Sequence, residues 1–267
     1  MRKRKQILAI IAIVLLAAMC IIPLILAITM PRSGWFKMSI AAVILIPVVL
    51  YAFLLTIRAV KPSKSPLIDT IVFDCGNVLV GFAWKKHMEN LGFDEETIDY
   101  LEEHMIHDPL WNEFDRGVRS FSDVADEFCR ENPTYEAEIR AFLEHPEDMI
   151  EEYSFSVPWL QDLKRAGYRL YVLSNWDEPC YTRLKDSVLR FEKYLDGAIW
   201  SYQHRCIKPE PEIYKKLIHK YNIDPTRAVF LDDTQKNLDA AKPFGFHTIH
   251  AVDHDAALAG LRALGVK

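Results

Sequence analysis

Thr70-Ile71-Val72-Phe73-Asp74-Cys75-Gly76-Asn77-Val78-Leu79 places a carboxylate where an apolar run ends and a glycine turn begins. Thr70 to Phe73 are β-branched or aromatic, types that favour strands. No polar residue alternates with them, so the run reads as a strand buried on both faces, as in a parallel sheet. Outward from it, further candidate strands fall at Arg169–Leu173, Ala198–Ser201, Ala228–Leu231 and Thr248–Ala251, with helical patterns between them. Pro211–Tyr221 is one such helix, with Ile213, Tyr214, Leu217, Ile218 and Tyr221 on a single face. The alternation predicts an α/β domain: a Rossmann-like parallel sheet covered by helices on both sides. Ligands of such sheets bind beyond the carboxyl ends of the strands, so the polar residues that end the strands are the candidates for chemistry.

Four strand-end or helix-start signals occur in order: Asp74 before Gly76, then Ser174-Asn175, then Lys208-Pro209-Glu210-Pro211, then Asp232-Asp233-Thr234. Singly, each has a plain reading as a turn residue, a helix cap or a solvated loop lysine. Between the first two lies Gly81–Val157, which carries helical patterns only; Phe121, Val124, Ala125 and Phe128 share one helix face. This insertion is expected to form a helical cap over the strand ends, spanning about residues 82–155. Glu113, Asp115 and Arg116 stand beside Gly117 and read as a solvated charged turn.

The four motifs together, in this order, resemble the haloacid dehalogenase-like superfamily over nearly all of residues 68–267. The Phe-Asp-x-Gly-Asn-Val opening is similar to a branch that includes sugar-phosphate phosphatases. The resemblance implies a Mg²⁺-dependent phosphatase of small phosphorylated metabolites, sugar phosphates among them, working through an aspartyl-phosphate. It makes Asp74 the nucleophile. It assigns the metal to Asp74, the backbone carbonyl of Gly76 and Asp233, with Asp232 assisting, and the phosphoryl oxygens to Ser174, the Asn175 backbone and Lys208. Position 76 departs from the pattern, because most phosphatases of the superfamily carry a second aspartate there as general acid and base. A missing general acid typically costs about 10²–10⁴ in rate. Either another residue serves, or the substrate's leaving oxygen needs little protonation, which would favour sugar 1-phosphates over 6-phosphates. The glycine also reads as a residue chosen for a backbone with φ > 0. Two other functions fit the same motifs: a haloacid dehalogenase, and a membrane-tethered interaction module with weak or no activity.

The first 65 residues differ in kind from the rest. They contain nine Lys or Arg and no Asp or Glu; removing these nine from the total of 32 leaves 23 basic against 37 acidic residues in 66–267. So acidic a domain is a poor nucleic-acid binder. Gln6 to Pro31 and Met38 to Ile57 are uncharged and mostly apolar, each about the ~20 residues needed to span a bilayer. Residues 1–65 are therefore expected to form a two-helix transmembrane hairpin and linker, followed by the hydrolase domain at 66–267. Arg2, Lys3, Arg4 and Lys5 on one flank, and Arg58, Lys61 and Lys64 on the other, outnumber Arg32 and Lys37 in the connecting turn. Basic flanks stay cytoplasmic, so the chain is expected to be a two-pass cell-membrane protein, in contact with bilayer lipid, with its catalytic domain in the cytoplasm. The five cysteines show no metal-ligand spacing.

Overall fold

The computed structural model describes residues 68–266 together with Ile25, Ile28 and Thr29. Apart from those three residues, the expected transmembrane hairpin lies outside the described residues, among which no helix is long and apolar enough to cross a membrane.

The core is a five-stranded parallel sheet of β1 (Thr70–Phe73), β4 (Arg169–Ser174), β5 (Gly197–Trp200), β6 (Ala228–Asp232) and β7 (His247–His250), in the order β5-β4-β1-β6-β7. Side chains alternate between its two faces, as a period of two requires. Ile71, Phe73, Leu170, Val172, Val229 and Leu231 pack on one side, with Trp159, Leu160 and Leu163 of α6 (Ser156–Arg165) and Ala257 and Leu261 of α11 (His254–Ala263). Val72, Tyr171, Leu173, Ala228 and Phe230 pack on the other, with Ile213, Tyr214 and Leu217 of α9 (Pro211–Tyr221) and Leu238 and Ala241 of α10 (Gln235–Ala241). Burial on both faces explains why these strands read as unbroken apolar runs. The chain leaves β1 for β4 on one side and reaches β6 on the other. The sheet's switch point, where ligands bind, is therefore at the end of β1, immediately before Asp74.

The insertion is a separate helical layer with its own core. Its helices are α1 (Trp84–Asn90), α2 (Glu95–Leu101), α3 (Trp111–Arg116), α4 (Phe121–Glu131) and α5 (Glu136–Glu144). Met88, Leu101, Phe114, Val124, Phe128, Ile139 and Phe142 fill its centre. Ser120 starts α4 by accepting from the Asp123 N–H at 3.1 Å, the usual service of a serine cap. The expectation of helices only does not hold at the neck. There β2 (Val80–Phe82) pairs antiparallel with β3 (Ile150–Glu152), joining the outgoing and returning chains. Three-residue strands are too short to show alternation, and each is specified by a partner distant in sequence. Just beyond the neck, the Ser156 hydroxyl donates to the Leu79 carbonyl at 2.6 Å.

Candidate active site

Three adjacent strands deliver the polar cluster. Asp74 follows β1, Ser174 is the last residue of β4, and Asp232 is the last of β6. Asp74 Oδ1 accepts from the Cys75 N–H at 2.6 Å and the Ser174 hydroxyl at 3.0 Å. Lys208, only 2% exposed, reaches in from the loop before α9. Its Nζ lies 2.8 Å from Asp74 Oδ2 and 2.7 Å from Asp232 Oδ2. Burial works against the lysine charge, but Asp232 and Asp74 outweigh it and hold its pKa above the usual lysine range. Burial likewise pushes Asp74 up to about 7, against the pull of Lys208 and with the push of Asp232 and Asp233.

The structure thus brings Asp74, Ser174, Lys208, Asp232 and Asp233 together, and Gly76 and Asn175 line the same cavity of about 250 Å³. Asp232 is fully buried and its carboxylate is already engaged: Oδ1 accepts from the Thr234 N–H and Oδ2 from Lys208, while the Asn237 amide donates to both oxygens. Its oxygens are spent on fixing Lys208 and the loop. Asp233 is more open, held by Asn77 Nδ2 at 2.9 Å from its Oδ2.

Side-chain oxygens of Asp74, Asp232 and Asp233 lie within 4.8 Å of one another. With one lysine among three carboxylates, the cluster carries two uncompensated negative charges when fully ionised. Oxygen donors with that excess suit a hard divalent cation.

Several residues of the site were not among the candidates read from the sequence. Asn77, at φ +56°, donates to Asp233 and accepts from the Phe82 N–H at 3.1 Å, tying that carboxylate to the neck. Asn237 sits one helical turn beyond Thr234, a spacing that does place it back toward Asp232. Trp176 and Asp177 follow Asn175 into the cavity wall. The expected solvated turn at Glu113, Asp115 and Arg116 is also corrected. Asp115 lines the cavity, and Arg116 bridges Glu113 at 3.1 Å and Glu210 at 2.7 Å. Folding the cap onto the sheet half-buries a segment that looks solvated in isolation. Gly76 is not a left-handed residue; that conformation belongs to its neighbour Asn77, and a Cβ at position 76 would meet no atom within 4 Å.

Residues 68–245 match the family profile described as haloacid dehalogenase-like hydrolase. The chain belongs to the haloacid dehalogenase-like hydrolases. Among characterised relatives, this hydrolase is 23% identical over 193 residues to the sesquiterpene phosphatase astK of Aspergillus oryzae, a match covering 72% of this chain and 94% of that protein. It is 26% identical over 194 residues to a D-ribitol-5-phosphate phosphatase of Bacteroides thetaiotaomicron, covering 68% and 91%. The crystal structure of a family enzyme from Bacteroides thetaiotaomicron superposes with a TM-score of 0.57 at 21% identity, covering 72% of this chain and 98% of that one. This superposition establishes the hydrolase's fold.

Proposed function

We propose that this hydrolase is a Mg²⁺-dependent phosphatase of small phosphorylated organic metabolites, with Asp74 as nucleophile. The observation that carries the reading is the buried Asp74–Lys208–Asp232 chain beside Asp233, a carboxylate poised at the switch point of the sheet within a cluster of carboxylates whose oxygens lie within 4.8 Å of one another. Asp74 attacks phosphorus as the ester P–O bond breaks, giving an aspartyl-phosphate; water then releases inorganic phosphate and restores the carboxylate. Splitting hydrolysis in this way replaces one difficult step by two easier ones. Ser174, the Asn175 backbone and Lys208 hold the phosphoryl oxygens, where fixed donors stabilise charge as it develops. Asp74, the Gly76 carbonyl and Asp233 would hold the magnesium, with Asp232 behind them. The ion supplies relief of the repulsion between the Asp74 carboxylate and the substrate phosphate.

The phosphatase names of the two long-range relatives support this reaction class. The carboxylate pair Asp232-Asp233 in a cluster suited to a cation also argues against a haloacid dehalogenase, whose reaction needs no metal. Sugar phosphates remain the proposed substrates, and residues 1–65 the proposed anchor, with the catalytic domain in the cytoplasm. The direct test is phosphate release from a panel of phosphate esters by the full chain in mild detergent, with Mg²⁺ or with EDTA. Turnover should require Mg²⁺, and Asp233→Asn should raise the Mg²⁺ concentration for half-maximal rate about tenfold or more. Turnover unaffected by EDTA would overturn the metal assignment.

A further inference from the structure

Gly76 leaves the cavity without the carboxylate that would protonate a departing oxygen, and the cap brings one to the same cavity. Asp115, in α3, lines it together with Asp74, Gly76 and Lys208. Its carboxylate has no hydrogen-bond partner among the described residues, whereas its backbone is tightly held. The Ser201 hydroxyl donates to the Asp115 carbonyl at 2.6 Å and accepts from the Trp176 N–H at 2.8 Å. That one hydroxyl ties Asp115 to the loop that carries Ser174 and Asn175. On the other side, Arg116 pairs with Glu210, two residues beyond Lys208. Gly117 closes the segment at φ +65°, so near the core that a Cβ would lie 2.8 Å from the Tyr202 backbone. The segment is thus anchored to the two loops that build the phosphate site, with one carboxylate left free toward the cavity.

Resting on the phosphatase reading, we propose that Asp115 is the general acid that protonates the leaving oxygen, and the base that then deprotonates the attacking water. In the first step the Asp115 proton passes to the ester oxygen as that oxygen takes the P–O bonding pair, leaving Asp115 ionised. In the second, Asp115 takes a proton from water as its oxygen bonds to phosphorus and Asp74 departs as carboxylate. Asp115 ends protonated and ready for the next cycle. The environment suits the resting acid. Burial and the negative charge of Asp177, then that of Asp74, hold its pKa well above the usual carboxylate range, against the pull of Lys208. Arg116 is shared between Glu113 and Glu210, so that trio carries one net negative charge.

The test compares 4-nitrophenyl phosphate, whose leaving group needs no proton, with phenyl phosphate, whose leaving group does, using the full chain with Mg²⁺. In Asp115→Asn, kcat/KM for phenyl phosphate should fall about 10²–10⁴-fold and that for 4-nitrophenyl phosphate less than about tenfold. A burst of 4-nitrophenolate should also appear, because the phosphoenzyme has lost its base. Adding Gly76→Asp to that variant should recover much of the loss, since position 76 has open space for a side chain. Parent enzyme provides a measurement free of folding effects: its phenyl phosphate kcat/KM, divided by that for 4-nitrophenyl phosphate, should fall as pH rises through the Asp115 ionisation. Equal losses for the two esters, or a ratio flat with pH, would overturn the assignment while leaving the phosphatase intact. A parent enzyme inactive on every ester would overturn both.

Discussion

The side-chain amide of Asn175 grips the backbone of Lys208 from both sides. Its Oδ1 accepts from the Lys208 N–H at 2.7 Å and its Nδ2 donates to the Lys208 carbonyl at 3.1 Å. Two loops separated by more than thirty residues are thereby locked in register, and the lysine ammonium is aimed between Asp74 and Asp232. Asn175→Ala should remove two hydrogen bonds worth about 1 kcal/mol each. For a domain of this size that corresponds to a Tm lower by about 4–8 °C. Because Lys208 loses its aim, kcat should fall by about tenfold or more. Calorimetry and steady-state kinetics check both; an unchanged kcat would mean that Lys208 is positioned by its two carboxylates alone.

Asp74→Asn should abolish turnover, by at least ~10³-fold as for other lost nucleophiles, while the fold persists. The amide oxygen can still accept from Cys75 and Ser174. The raised Asp74 pKa adds a stability prediction for metal-free protein. A carboxylate with a folded pKa near 7 and an ordinary unfolded value binds its proton more tightly when folded. Its stabilising contribution is full below about 4 and is lost by about 7. In EDTA, the Tm of Asp74→Asn relative to the parent should therefore climb as pH rises from 4 to 7. A difference constant across that range would show that Lys208 keeps Asp74 ionised throughout.

Gly117→Ala tests the docking of the cap. The substitution meets both a left-handed backbone and the Tyr202 main chain at 2.8 Å, and should cost on the order of 1–3 kcal/mol together with a loss in kcat/KM. Gly92→Ala is the control, since Gly92 has φ +81° but open space around it. It should lower Tm through backbone strain without touching kcat/KM. Equal kinetic effects at the two positions would sever cap docking from catalysis.

The proposed topology rests on the basic flanks of residues 1–65. Reporter fusions placed after Lys64 and at the C-terminus should both report a cytoplasmic location. An external signal from either would overturn the proposed hairpin.

How much of this was written in the sequence depends on how far each feature reaches along the chain. The strand Thr70–Phe73 and the helix Pro211–Tyr221 lie where their residues alone placed them, and the other four strands of the parallel sheet shift at their ends by a single residue. A strand buried on both faces must be apolar throughout and can turn polar only at its end. Asp74, Ser174, Asp232 and Asp233 are for that reason visible as local punctuation. The cap's existence was equally legible, since its amphipathic helices need only their own periodicity.

Tertiary structure decided what those helices and loops meet. The neck strands Val80–Phe82 and Ile150–Glu152 exist only through each other. Asn77 and Asn175 are ordinary loop residues until Asp233 and Lys208 arrive beside them. Asp115 looked like part of a solvated turn because burial is a property of a packed pair of surfaces. Its neighbours Ser201, Trp176 and Lys208 come from segments on the far side of the domain in sequence. A local pattern records which residues a strand or helix can bury, whereas the surroundings of a single carboxylate are set by the packing of the cap against the sheet.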